Sequence, residues 1–386
     1  MFDDPIEERK IHNVKIPNLG GIGIYGAVLL VSSVFPHYVP ISQLGYIFAA
    51  SIILFGLGIT DDLVGVKPDK KILGQLTATL IITVLADLRI TGFYGFLGVY
   101  ELPYYASLFF SSMFILLIIN AFNLIDGVNW LAGSIGLLCT TGLAFFFYRL
   151  NQPGLVVVSI SMAGALTGFL YFNKTPAKIF MGDTGSLFLG FVIALLAIRF
   201  TEVNKIELLN GKDASFHSAP AIIFSLLIIP IFDTLRIFTV RIIEKKSPFS
   251  ADRNHIHHRL LDLNFSHLQT TAILVTVTII LVAISLAFNT FNNETLLFIN
   301  SCIILTLNAF AGHLVSQKII PIAKVKRTRH DKSIALPHRE DMENIRWQSF
   351  LLDNQEVKDI SLELRTDRYL LNFTTYKESR ETAAAE

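Results

Sequence analysis

The sequence predicts an all-α, polytopic membrane protein of about ten transmembrane helices, with both termini in the cytoplasm. Three observations carry this expectation. Of 386 residues, 52% are apolar and only 16% are charged, against roughly 25% charged in soluble domains. Mean hydropathy is +0.54, although a polar C-terminal stretch dilutes it. Apolar runs also recur near the length that a bilayer core demands, about 20 residues at 1.5 Å rise. A disordered chain and most water-soluble enzymes are excluded. With 32 Lys+Arg against 31 Asp+Glu, net +1, the chain has no basic footprint, so no nucleic-acid partner is expected. Cys139 and Cys302 both lie in apolar runs, which offers neither a disulfide framework nor a cysteine metal site. The opening MFDDPIEERK, with its first long apolar run after residue 20, does not read as a cleavable signal peptide.

The expected spans are 21–36, 42–60, 72–88, 105–122, 130–148, 154–172, 186–200, 219–240, 270–289 and 295–317. Their connections carry Gly, Pro, Asn and Asp, as turns should. From 318 the composition turns to KVKRTRHDK, which divides the chain into a membrane domain, 1–317, and a cytoplasmic polar tail, 318–386. With the N-terminus inside, Lys and Arg at 9, 10, 15, 67, 70, 71, 174, 178, 241, 245, 246, 253, 259, 318, 324, 326, 327 and 329 fall inside. Only those at 89, 149, 199, 205 and 212 fall outside. That asymmetry obeys the positive-inside rule.

On this map the unusual polar clusters share one side. Asp61 and Asp62 close the second span; Asn120, Asn123, Asp126 and Asn129 lie at the inner end of the fourth. The run MGDTGS, with Asp183, opens the seventh, and His255, His257 and His258 occupy the inside loop before the ninth. Each has a bland reading alone. Paired aspartates commonly cap a helix in water, Asp183 could N-cap its own helix, and Asn123 and Asp126 could merely end one. The histidines could form a zinc loop, but carboxylate or cysteine partners at finger-like spacing are missing. Convergence on the cytoplasmic face favours a functional site. Carboxylates without thiolates suit Mg²⁺, which is held by one or two carboxylates plus phosphate and water. Helix N-termini offer N–H groups to anions, and His and Arg add donors. Such a site suits a reaction between a soluble nucleotide and a lipid phosphate. A transporter would place its ionisable groups at mid-span; only Asp233 and Arg236 lie inside a span, nearer its inner end.

The stretches DDPIEERKIHNVKIPNLGG (3–21), GITDDLVGVKPDKKILGQ (58–75), NAFNLIDGVNWLAG (120–133), FMGDTGSLFLG (180–190) and SPFSADRNHIHHRLL (247–261) together resemble the motifs of the polyprenyl-phosphate N-acetylhexosamine-1-phosphate transferases. The histidine motif is similar to that of the branch using UDP-GlcNAc. The resemblance covers residues 3 to 317 and implies a multi-pass enzyme of the bacterial cytoplasmic (inner) membrane. It would transfer N-acetylhexosamine-1-phosphate, most simply GlcNAc-1-phosphate, from a UDP-sugar to undecaprenyl phosphate. UMP would be released and a lipid-linked cell-wall, lipopolysaccharide or O-antigen glycan begun. The implied cofactor is Mg²⁺, with Mn²⁺ as a substitute; the implied partners are the two substrates, the bilayer and a second copy of the chain.

The resemblance also implies roles. Asp183 would ligand the metal, joined by Asp62 and Asp126. Asp61 and Asp62 would position or deprotonate the lipid phosphate. His255, His257, His258 and Arg259 would grip the nucleotide's phosphates, His258 within the catalytic set. Lys10, Lys15, Lys71 and Arg253 would bind substrate, and Asn123, Asp126 and Asn129 would shape the uridine and metal side. One departure stands out: the expected Asp-Gly-x-Asp-Gly-Leu reads Asp126-Gly127-Val128-Asn129-Trp130-Leu131, without the second carboxylate and second glycine. The rival reading is a transporter or flippase of a polyprenyl-linked glycan, its cytoplasmic clusters serving as a headgroup vestibule.

Overall fold

The computed structural model describes residues 2–3, 16–35, 41–211, 215–243, 255–318, 333–336, 357–365 and 368–375. Up to residue 307 it is one compact helical unit. Two short strands, β1 (Phe2–Asp3) and β2 (Ile16–Pro17), pair antiparallel ahead of α1 (Gly20–Val34). Then come α2 (Ile41–Val64), α3 (Pro68–Leu80) with a π-helical turn at Ile81–Leu85, α4 (Tyr104–Ile125), α5 (Leu131–Arg149), α6 (Pro153–Asn173) and α7 (Gly182–Leu209). After these follow α8 (Ala219–Leu226), α9 (Ile228–Ile243), α10 (Ile256–Asp262), α11 (His267–Ala287) and α12 (Asn293–Lys318).

Seven helices among the described residues are long and apolar enough to cross a membrane, or eight if α8 and α9, bent by 72°, form one broken span. In place of the expected ten, the described residues form a mostly helical, multi-pass arrangement with seven or eight candidate spans. The shortfall has a residue-level cause. The 72–88 run begins inside α3, which at 13 residues is too short to span and which carries Asp69, Lys70, Lys71, Gln75, Thr77 and Thr79 besides. The 21–36 run is the 15-residue α1, apolar but short.

α7 is the central helix. It is apolar all round, as a helix surrounded by others must be, and 78% of its most apolar window is buried, against 22% for α2. α1, α2, α4 and α5 pack around it. Two contacts are made by backbone: a Cβ at Gly21 would lie 2.2 Å from the Gly185 nitrogen, and one at Gly58 2.4 Å from the Thr184 Cα. Only glycine allows α1 and α2 to approach the first turn of α7 this closely, the small-residue packing that membrane helices favour. The Gly20 and Gly21 amides, which a helix start leaves unpaired, donate to the Phe180 and Met181 carbonyls at 2.9 and 3.0 Å. Ser266 and Gln269 form a capping box at the start of α11.

The second unit, residues 308–386, departs from the all-α expectation. It contains an antiparallel sheet of β3 (Ser333–Leu336), β4 (Val357–Arg365) and β5 (Arg368–Thr375), in the order β3–β5–β4.

Candidate active site

The ends of α2 and α4 and the starts of α3 and α7 deliver their polar residues to one cluster. Asp183, in the first turn of α7, accepts from Lys71 Nζ and, at 2.8 Å, from Asn123 Nδ2. Asn123 reaches Ser186 Oγ at 3.0 Å, one turn further along α7. Lys71 also donates to Asp61 Oδ2 at 2.8 Å, and Asp61 Oδ1 accepts from the Val66 amide at 2.6 Å. One ammonium thus stands between carboxylates from two helices. Burial alone would pull Lys71 down, but Asp183 and Asp61 outweigh it and hold the ammonium above its ordinary value.

Asp62 does something different. Its Oδ1 accepts from the Asp183 amide at 2.9 Å; its Oδ2 accepts from the Thr184 amide at 3.0 Å and from Thr184 Oγ1 at 2.6 Å. A residue from α2 thereby caps α7, whose own N-cap position, Met181, supplies no side-chain bond. The Asp183 and Thr184 amides are consequently not open to an anion, contrary to what a bare helix N-terminus suggests. Gly182, at φ +68°, passes under this carboxylate: a Cβ there would meet both Asp62 oxygens at 2.7 Å.

Asp126 follows the last residue of α4. Part of the residue reaches the surface, but its carboxyl is desolvated. That burial, with the Asp183 and Asp62 charges nearby, lifts it well above the carboxylate range. The donor set is all oxygen, and its negative charges crowd one another. An oxygen-rich set is the kind a hard divalent cation takes, but Lys71 stands between Asp61 and Asp183. The group whose ligand atoms converge within 4.8 Å among the described residues is Asp233, His255 and His257.

Asn129 and Trp130 turn elsewhere. The Asn129 amide side chain donates to Thr175 Oγ1 at 3.4 Å, and its backbone N–H to His267 Nδ1 at 3.3 Å. Trp130 adopts φ +74°, a left-handed conformation costly for any residue with a Cβ and natural for the glycine the resemblance leads one to expect. It is held by Asn173 Oδ1 on its backbone amide at 2.7 Å and by the Leu170 carbonyl on its indole at 3.0 Å.

The histidine motif reaches the cluster through Gly127, where a Cβ would stand 3.5 Å from His257 Nε2. His255 and His257 are buried and their rings stack at 5.1 Å; His258 and Arg259 are half-buried on α10. Burial pushes His257 down to about 3, so it is neutral near pH 7 and brings no positive charge to a phosphate. Asp233 on α9, which lies outside the five motifs, supports this loop. It is fully buried and accepts from His255 Nδ1 and from the Ile256 amide, both at 2.8 Å. It supplies the carboxylate partner absent from the local spacing. Lys10, Lys15 and Arg253 lie outside the described residues.

Comparison with known proteins finds relatives of one kind. Residues 44–201 match the profile of glycosyl transferase family 4. The chain is 29% identical over 290 residues to the decaprenyl-phosphate N-acetylglucosaminephosphotransferase of Mycobacterium tuberculosis, covering 69% of this chain and 70% of that one. It is 29% identical over 334 residues to the probable undecaprenyl-phosphate N-acetylglucosaminyl 1-phosphate transferase of Bacillus subtilis (83% and 87%). It is 26% identical over 281 residues to the undecaprenyl-phosphate alpha-N-acetylglucosaminyl 1-phosphate transferase of Salmonella typhi (72% and 73%). The resemblance to polyprenyl-phosphate N-acetylhexosamine-1-phosphate transferases is borne out. These relatives are all named as transferases, and nothing favours the transporter reading.

Proposed function

We propose that this polyprenyl-phosphate N-acetylglucosamine phosphotransferase-like chain uses UDP-GlcNAc as donor and undecaprenyl phosphate as acceptor and releases UMP. The observation that carries the reading is the Lys71–Asp183–Asn123 linkage, which gathers three motifs into one polar cluster. In the reaction an oxygen of the lipid phosphate attacks the phosphorus that bears the sugar. A new P–O bond forms, the P–O bond to UMP breaks, and UMP leaves with the electron pair.

Both reactants are anions, so the barrier is in large part charge repulsion. Lys71 is the fixed cation here; with a phosphate bound, its ammonium can transfer its hydrogen bonds from Asp61 and Asp183 to phosphate oxygens. Asp61, released, would orient the acceptor phosphate and take any proton it carries. Asp183 and Asp126 would hold Mg²⁺ (or Mn²⁺), with Asp62 fixing Asp183 from behind. When bound, that ion supplies charge neutralisation across the phosphates. Asn123 holds the Asp183 carboxylate in register with α4.

The test is release of UMP from UDP-GlcNAc by membranes containing the protein and undecaprenyl phosphate. One UMP is expected per lipid-linked sugar, with loss of turnover on chelation and recovery with Mg²⁺. Sugar-nucleotide binding without UMP release from any UDP-N-acetylhexosamine would overturn the reading. The proposed orientation in a bacterial inner membrane has its own check. A cysteine at Lys174 should be shielded from an impermeant thiol reagent in intact cells, and one at Lys212 should react.

A further inference from the structure

The histidine motif is held by a carboxylate that sequence spacing does not reveal. Asp233 is 0% exposed and sits on α9, 22 residues before His255. Its Oδ2 accepts from His255 Nδ1 at 2.8 Å and stands 3.9 Å from His257 Nδ1. Its Oδ1 accepts from the Ile256 amide at 2.8 Å and from Arg236 at 3.2 Å. This one carboxylate therefore starts α10 and faces the same nitrogen on two imidazoles.

The proton positions follow from that arrangement. A lone pair on His255 Nδ1 would repel the carboxylate at hydrogen-bond distance, so Nδ1 carries the proton. His257 Nδ1 is buried and has no hydrogen-bond partner among the described residues; the Asp233 carboxylate is the acceptor that faces it. A lone pair pointed there would again be repelled, whereas an N–H is attracted. A second proton, making an imidazolium, would put a buried cation beside Arg236, which already pairs with Asp233. The lone pair of His257 is thus left on Nε2, the atom that faces Gly127.

We infer that Asp233 is a positioning residue that fixes the protons of His255 and His257 on Nδ1, so that His257 presents Nε2 as an acceptor to a hydroxyl or N–H donor of the sugar nucleotide. The nucleotide carries such donors on its uracil imide and its ribose hydroxyls; its ionised phosphates carry none. The identity of the donor rests on the proposed function, whereas the tautomer does not. His257 on this account selects the nucleoside part of the substrate and takes no part in gripping phosphate.

The test uses the full chain in lipid nanodiscs with ¹⁵N-labelled histidine. At pH 7 the wild type should show the neutral Nδ1–H tautomer for His255 and His257. UDP should shift the His257 Nε2 resonance, and inorganic pyrophosphate should leave it in place. Asp233→Asn, whose amide can donate to Nδ1 and drive the proton to Nε2, should invert the tautomer and weaken UDP binding about tenfold, the loss of one good hydrogen bond. Asp233→Glu should recover part of the affinity. An Nε2–H tautomer or an imidazolium at His257 in the wild type overturns the inference, and that measurement needs no variant to fold. A pyrophosphate shift as large as that from UDP overturns the acceptor role. A wild type with the Nδ1–H tautomer that binds no UDP would instead sink the proposed substrate, leaving the Asp233 assignment standing.

Discussion

Asp62 caps the helix in which Asp183 begins: the Asp62 Oδ1 accepts the Asp183 backbone N–H at 2.9 Å. Neighbouring aspartates of one motif therefore have separate tasks. Asp61 joins the Lys71 cluster, and Asp62 fixes the helix that carries Asp183. Removing a capping acceptor costs about 0.5–2 kcal/mol, so Asp62→Ala should lower thermal stability by about that amount. Asp62→Asn, which keeps an acceptor oxygen, should lose less. Equal melting temperatures for wild type and Asp62→Ala would show that the cap is dispensable.

Because Asp62 does the capping, the Asp183 side chain is turned instead to Lys71 and Asn123. Asp183→Asn should leave folded yield near wild type while turnover falls by about 10²–10³, the scale for loss of a group aimed at developing charge. UMP release at saturating Mg²⁺, measured beside a melting curve, checks both halves. A wild-type rate would demote Asp183 to a structural residue.

Lys71 bridges carboxylates of two helices. Lys71→Met should leave Asp61 and Asp183 facing each other without a cation and depress turnover strongly, while Lys71→Arg should retain part of it. If the Met variant kept the wild-type KM for both substrates and the wild-type kcat, the bridge would be incidental.

Trp130 is in a left-handed backbone conformation, which costs an L-residue roughly 1–2 kcal/mol. Any substitution loses the indole hydrogen bond to Leu170, but glycine alone also relieves the backbone. Trp130→Gly should therefore be more stable than Trp130→Ala by about 1 kcal/mol, the reverse of their usual order beside a helix. Denaturation of the two purified variants decides it.

The helix crossings give a matched pair. Gly21→Ala would drive a methyl into the Gly185 backbone, whereas a Cβ at Gly23, half a turn away, meets nothing within 4 Å. Gly21→Ala should lose roughly 1–3 kcal/mol or more, as overpacking does, and lower the yield of folded protein. Gly23→Ala should behave as wild type. Similar losses in both would remove the close-approach explanation.

Part of the cluster was legible in the sequence because Asp61, Asn123 and Asp183 lie near the ends of apolar helices, which the hydropathy pattern marks. Legibility stopped where a residue works through tertiary contact. Nothing local says that Asp62 turns to α7, or that Asp233 reaches across to His255, since local spacing arguments extend only a few residues. Span counting failed at α3 for a different reason. The stretch from Ile72 is apolar on average, but Lys71 and Gln75 face the cluster and Asn120, and averaging conceals a helix turned toward a polar site. In the tail, the alternation of Ile360, Leu362 and Leu364 with Ser361, Glu363 and Arg365 is a readable strand signal.

The pairing of the segment before α7 with the start of α1 has a consequence for amide exchange with solvent. Helix starts ordinarily fray, and their first amides trade hydrogen for deuterium quickly. Here Phe180 donates to the Pro17 carbonyl at 3.0 Å, and Gly20 and Gly21 donate to Phe180 and Met181, a small clasp of irregular backbone beside the cluster. These amides should exchange as slowly as those within the helices, because opening any of them means parting α1 from α7. The neighbourhood of Asp183 is then among the last parts of the protein to open, an expected property of a site that must hold several carboxylates together against their own repulsion.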